Sequence, residues 1–217
     1  MNIFRFIADM LHLAAILTLL YRIRVVRNCI GLSCKAQEIY LIVFLVRYSD
    51  LFMYFVSVYN TCMKIFFITA TALIIYLMKY KVPYCTTYDS LGDQFPHFKV
   101  LIPVAAVLTC ILNTGWTPWT WFWSFSIWLE SIAFVPQIVM LHKMRVVENL
   151  TSHYVAALGL YRFFYILNWI YRYQVEDYFC WTQTCAAILQ TGLFIDFLYY
   201  YFKSVKEGKP VRYELPV

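Results

Sequence analysis

The sequence predicts an all-α membrane protein of seven transmembrane helices, and three observations lead there. Of the 217 residues, 62% are hydrophobic, 20% aromatic and only 14% charged, a composition suited to lipid rather than water. The apolar residues gather into seven stretches of a length that suits a bilayer core roughly 30 Å thick. The connections between them are too short for a folded domain, so residues 1–217 read as one domain with a short tail from about residue 203.

The first span, 3–21, contains Arg5 and Asp9 and is followed by no clear small-residue cleavage site, which marks a retained helix rather than a signal peptide. The second and third cover 39–58 and 63–78, and the fourth, 100–112, is the shortest. The fifth covers 119–141, the sixth 153–173 and the seventh 181–202. Pro103 and Pro136 fall inside spans, where packed membrane helices tolerate proline.

Basic residues set the orientation. Arg22, Arg24, Arg27 and Lys35 follow the first span, Lys79, Lys81 and Lys99 the third, and Lys143 and Arg145 the fifth. Lys203, Lys206, Lys209 and Arg212 follow the seventh, whereas the even connections carry only Lys64 at an edge, and Glu176 with Asp177. The positive-inside rule then places the odd connections and the C-terminus in the cytosol and the N-terminus on the lumenal or external side. The net charge of +6 is accounted for by topology, so no nucleic-acid partner is expected. Asn149-Leu150-Thr151 matches the glycosylation pattern but falls on the cytosolic side in this topology and is expected to be unused.

Cysteines at 29, 34, 62, 85, 110, 180 and 185 have no zinc-ligand spacing, and their odd number argues against a disulfide framework. They read as buried thiols. No metal or cofactor site and no nucleophile–base pair stands out, so no enzymatic chemistry is expected.

The functional signal lies in charges within the spans. Five of the seven carry them: Arg5 and Asp9 (with His12), Arg47 and Asp50, Glu130, Arg162 and Arg172, and Asp196. A charge at the bilayer centre costs about 3 kcal/mol on lenient scales. These side chains must therefore face one another or a wet cavity. Arg5, Asp9 and His12 form one stripe on the first helix, and Tyr161, Tyr165, Asn168 and Arg172 another on the sixth. Arg162 and Trp169 lie beside the second stripe, and Trp123 and Glu130 share a face of the fifth helix. Arg5 and Arg172 sit at the same surface, with Arg47 mid-span and so roughly 10–15 Å deeper. An extended tetrapeptide covers about 13 Å. Three arginines staggered over that depth suit a short acidic chain end, the deepest gripping its terminal carboxylate. Glu130 and Arg162 read as a buried ion pair within reach of Tyr161, and His12 is the one histidine well inside a span.

On these residues the chain resembles the KDEL receptor family, the retrieval receptors for lumenal proteins of the endoplasmic reticulum. The resemblance runs from Met1-Asn-Ile-Phe-Arg5 through Arg47-Tyr-Ser-Asp50, Trp123-Ser-Phe-Ser-Ile and Leu129-Glu-Ser. It continues in Pro136-Gln137, Gly159-Leu-Tyr161-Arg162, Asn168-Trp169-Ile-Tyr-Arg172 and Asp196-Phe. It implies two parallel three-helix repeats joined by a linker helix, similar to SWEET/PQ-loop transporters. Within the sequence the repeat is faint: Arg47-Tyr48 against Tyr161-Arg162.

The resemblance also implies roles. Arg5, Arg47 and Arg172, with Tyr48, Asp50, Trp123 and Trp169, would contact a C-terminal Lys/His-Asp-Glu-Leu signal. His12, Glu130, Tyr161 and Arg162, with their neighbours Tyr165 and Asn168, would couple protonation to closure. Asp196 and tail lysines Lys203, Lys206 and Lys209 would serve return transport through the COPI coat, cycling the receptor between Golgi and endoplasmic reticulum membranes. The chain departs from the family pattern at Thr120, where a glutamate is usual, and in its separated tail lysines. The runner-up is a small-solute transporter of the SWEET/PQ-loop type. A seven-helix signalling receptor is a third reading.

Overall fold

The computed structural model describes residues 2–52, 55–144 and 146–212. Met1, Met53, Tyr54, Arg145 and the tail beyond Arg212 lie outside the described residues. Helix α1 is Ile3–Val26, α2 Cys34–Arg47, α3 Val58–Lys79 and α4 His97–Ile111. Helices α5, Pro118–Ile132, and α6, Val135–Met144, form one interrupted rod, followed by α7, Asn149–Glu176, and α8, Trp181–Glu207. The order is three helices, a single helix, then three rods, the expected all-α membrane architecture. Ile3–Val26, Val58–Lys79, Pro118–Met144 and Trp181–Glu207 are each long and apolar enough to cross a membrane.

Local sequence chemistry sets the ends. Asn2, Ser33, Ser57 and Thr117 cap α1, α2, α3 and α5, each side-chain oxygen accepting a bond from an amide three residues on. Pro118 occupies the first turn of α5, where its missing N–H costs nothing. Gly208 closes α8 at φ 63°, a left-handed position that favours glycine.

Three differences from the sequence expectation bear on the packing and the site. The second span stops at Arg47 instead of reaching residue 58; a short 3-10 turn, Ser49–Phe52, follows. Arg47 is therefore the last residue of α2, not a mid-helix residue. Pro136 interrupts the fifth span, because proline has no amide to donate to the preceding turn. Pro103, by contrast, stays inside an unbroken α4. Helix α1 continues past residue 21, so Arg22 is helical and almost wholly buried; it donates to Glu148, Asn28 O and Ile30 O.

Helix α1 packs along α7, and α5 sits against α2, α4 and α8. The α5–α6 rod is the most enclosed of the apolar rods. Outward faces carry exposed Leu17, Val25, Leu73, Val107, Ile188 and Ile195, an apolar exterior suited to acyl chains. The cysteines are all free, but only Cys29 and Cys34 are buried as expected; Cys85, Cys180 and Cys185 are half-buried, and Cys62 and Cys110 are exposed. At the end opposite the cavity, Val146–Val147 (β1) pairs antiparallel with Val211–Arg212 (β2), tying the chain after α8 to the α6–α7 connection.

Candidate ligand-binding cavity

A cavity of about 290 Å³ opens at the end of the bundle where α1 and α5 begin and α7 finishes. Arg5, Arg47, Lys64, Arg162 and Arg172 line it against only two lining carboxylates, Asp9 and Glu130. That excess of cations favours an anionic ligand.

Glu130 anchors the floor. It is 2% exposed and paired with both Arg47 and Arg162. Tyr161 Oη donates to Glu130 Oε1 at 3.1 Å while accepting from Arg162 Nε at 2.9 Å. Arg47 also donates to Ser126 Oγ at 3.1 Å and Ser126 O at 2.8 Å. A carboxylate this deep is tolerated because two guanidinium groups and a hydroxyl satisfy it. The expected Glu130–Arg162 pair is present; the Arg47 contact was not read from sequence, because the second span was taken to run past it. The faint repeat now has a physical meaning: Arg47 from α2 and Arg162 from α7 hold the same carboxylate.

His12 sits beside this knot, 7% exposed. Its ring stacks on Tyr161 at 4.3 Å and 4°, and on Phe67 at 4.6 Å between ring centres. Seven residues along α1 put it about 10 Å below Arg5. On α7, Tyr161 lies about 16 Å below Arg172. The arginines are thus staggered in depth, two near the mouth and Arg47 at the floor.

The walls carry the aromatic residues. Trp123, Tyr48 and Trp169 all line the cavity. Tyr165 Oη donates to Asp9 Oδ1 at 2.5 Å, and Asn168 Oδ1 accepts from Asn2 Nδ2 at 2.7 Å, tying α7 to α1. Near the mouth, Arg172 donates to Glu176 at 2.6 Å and lies 3.9 Å from the centre of the Tyr178 ring. Arg5 is exposed there and forms no ion pair among the described residues.

Asp50 falls just outside the lining. Lys64 Nζ donates to its Oδ2 at 2.6 Å, while Oδ1 is buried without a partner among the described residues. Lys64 was read at the edge of the third span; α3 begins five residues earlier than expected, at Val58, and sets it deeper in the helix. The Ser57 cap three residues before Asn60 was the available signal. Tyr59, Asn60, Met63 and Gln183 were also missed as lining residues. Thr120 stands in the first turn of α5, its hydroxyl donating to Thr117 O at 3.0 Å, and does not line the cavity.

The remaining expected residues lie elsewhere. Asp196 is on the outer part of α8, 59% exposed at the side chain, with His142 Nε2 3.5 Å away. Lys203 and Lys206 belong to the last turns of α8, which extends to Glu207, and Lys209 follows its glycine cap. Gln137, read only as half of a weak motif, donates to Gly31 O at 2.7 Å and accepts from Ser33 N at 2.8 Å, so it braces the α1–α2 connection. No group of three metal-ligating side chains occurs among the described residues.

The class defined by fold and site is a multi-pass helical membrane protein with a cation-rich, aromatic-walled cavity open at one end. Residues 28–172 match the family described as ER lumen protein retaining receptor. The chain is 51% identical over 211 residues to an ER lumen protein-retaining receptor of Plasmodium falciparum, covering 96% of each. Relatives with the same description are 43% identical in Petunia hybrida and 44% in Caenorhabditis elegans, each over 217 residues and the whole of both chains. The chain belongs to the ER lumen protein-retaining receptor family, a family of retention receptors and not a known enzyme class.

Proposed function

We propose that the receptor binds the C-terminal Lys/His-Asp-Glu-Leu-type signal of escaped lumenal proteins in the mildly acidic Golgi and releases it at the neutral pH of the endoplasmic reticulum. The observation that carries this reading is the stagger of Arg5, Arg172 and Arg47 between mouth and floor of one cavity. The terminal carboxylate goes to Arg47 at the floor. The acidic side chains go to the two arginines near the mouth. A basic first residue meets Trp123, with Asp50 turning in from just outside the lining.

Binding and protonation are coupled through Glu130. In the structure Arg47 is held by Glu130 and Ser126. A ligand carboxylate draws on the same guanidinium and weakens its hold on Glu130. A proton on His12, stacked against Tyr161 and close to Glu130, restores positive charge to the knot. At neutral pH that charge is lost and the ligand leaves. The N-terminus and cavity face the lumen, and Lys203, Lys206, Lys209 and Asp196 face the cytosol, where the lysines engage the COPI coat.

Binding of a fluorescent Lys-Asp-Glu-Leu peptide to purified receptor, measured near pH 6 and near pH 7.4, tests the reading. Tighter binding at the lower pH by about tenfold supports it, equivalent to ~1.4 kcal/mol. No specific binding at either pH, with uptake of a small anionic solute into proteoliposomes, replaces it by the transporter reading.

A further inference from the structure

Below the Glu130 knot is a second cavity, of about 10 Å³, that shares only His12 with the lining of the arginine site. His12, Gln37, Tyr40, Thr71 and Tyr154 contribute polar groups to its walls. A space of this size accommodates one water molecule, provided two to four polar partners surround it. Tyr40 is 4% exposed, and its hydroxyl has no hydrogen-bond partner among the described residues. Buried hydroxyls rarely stay unpartnered. Tyr154 Oη accepts from Gln37 Nε2 at 2.9 Å, which leaves its own proton to donate.

The geometry around His12 supplies the second argument. Both faces of its ring are covered, by Tyr161 and by Phe67. Only the ring edge can form hydrogen bonds. The Tyr161 hydroxyl is already committed to Glu130 and Arg162. An imidazolium has two N–H donors to satisfy, one more than the neutral ring.

We propose that this cavity is a binding site for one water, held by Tyr40 Oη and accepting a hydrogen bond from His12, and that Tyr40 thereby positions the partner needed when His12 is protonated. The bond is to a charged donor, so it favours the protonated ring over the neutral one. Other titratable groups lining the cavities that His12 borders are Asp9 and Arg5 from α1, Arg47 from α2 with Tyr48 just after it, and Lys64 from α3. Glu130 comes from α5, and Tyr154, Tyr161, Arg162 and Tyr165 from α7. Tyr40→Phe leaves every one of these residues in place. The proposal rests on the reading of His12 as the proton-responsive group.

The test is peptide affinity as a function of pH for the wild type and Tyr40→Phe. The substitution keeps the ring that packs on Phe44 and deletes only the hydroxyl. The midpoint of the variant should fall by about one pH unit, the scale of a single hydrogen bond to a charged group. Affinity well below both midpoints should agree within about twofold, because Tyr40 does not line the peptide cavity. A wild type with a pH-dependent profile and a variant whose midpoint is unchanged or higher overturns the water site and leaves the receptor reading standing. A wild type with no pH dependence overturns the reading of His12 itself.

Discussion

Arg47 is shared between the protein and its proposed ligand, so its removal acts twice. Glu130 keeps Arg162 and the Tyr161 hydroxyl, and the fold survives. The ligand carboxylate loses its floor contact, which costs roughly 2–5 kcal/mol for a desolvated charge pair. Arg47→Ala should abolish peptide binding while the purified protein keeps its elution volume and helicity. His12→Ala should bind weakly near pH 6 and lose most of the affinity difference between about pH 6 and pH 7.4; a variant with the wild-type ratio would move proton sensing to another group. Thr120 lies in register with Trp123, Ile127 and Glu130 along α5, one turn outside the lining. Thr120→Glu should therefore reach inward from the rim and shift preference towards a lysine-first signal by up to about tenfold, read by competition between Lys- and His-first peptides. Outside the spans, Cys29 is fully buried, and burial pushes its thiol up to about 11. It stays protonated at neutral pH and should resist maleimide until the protein is denatured.

Elements explain what the sequence could and could not reveal. The stripes on α1, α5 and α7 were legible because a 3.6-residue period places Arg5, Asp9 and His12, or Tyr161, Tyr165 and Arg172, on one face. The end of α2 was not, because residues beyond Arg47 remain apolar enough to resemble a continuing span. That hid the Arg47–Glu130 contact, which joins helices 83 residues apart, and the approach of Lys64 to Asp50, which needs the chain to turn back between α2 and α3. Polar residues in connections carried a related ambiguity. Arg22 counts as a positive charge for topology, yet it is 2% exposed and clamps the α1–α2 connection to Glu148. Arg22→Met should destabilise the bundle by about 1–3 kcal/mol, chiefly by leaving Asn28 O and Ile30 O without their donor, because Glu148 is 37% exposed and can be solvated. Thermal unfolding in detergent checks this; an unchanged Tm would mean the clamp is replaced by solvent.

At the scale of the whole molecule, two ends do different work. The open end gathers the arginines, and the opposite end ties β2 to β1 and presents the final turns of α8. Composition made the bundle legible, and buried charge made the cavity legible. Tail geometry was not, because its strand pairing depends on a connection more than 60 residues earlier. Replacing Lys203, Lys206 and Lys209 together should leave peptide affinity intact and hold the receptor in the Golgi when ligand is overproduced, as seen by microscopy. The central claim, that the cavity reads a terminal carboxylate at its floor, is tested most directly by comparing free-acid and C-terminally amidated forms of one Asp-Glu-Leu-ending peptide near pH 6. Amidation removes only the charge that Arg47 would grip. The account predicts that it weakens binding at least about a hundredfold, ~2.7 kcal/mol. Equal affinity of the two peptides for the wild type would contradict it.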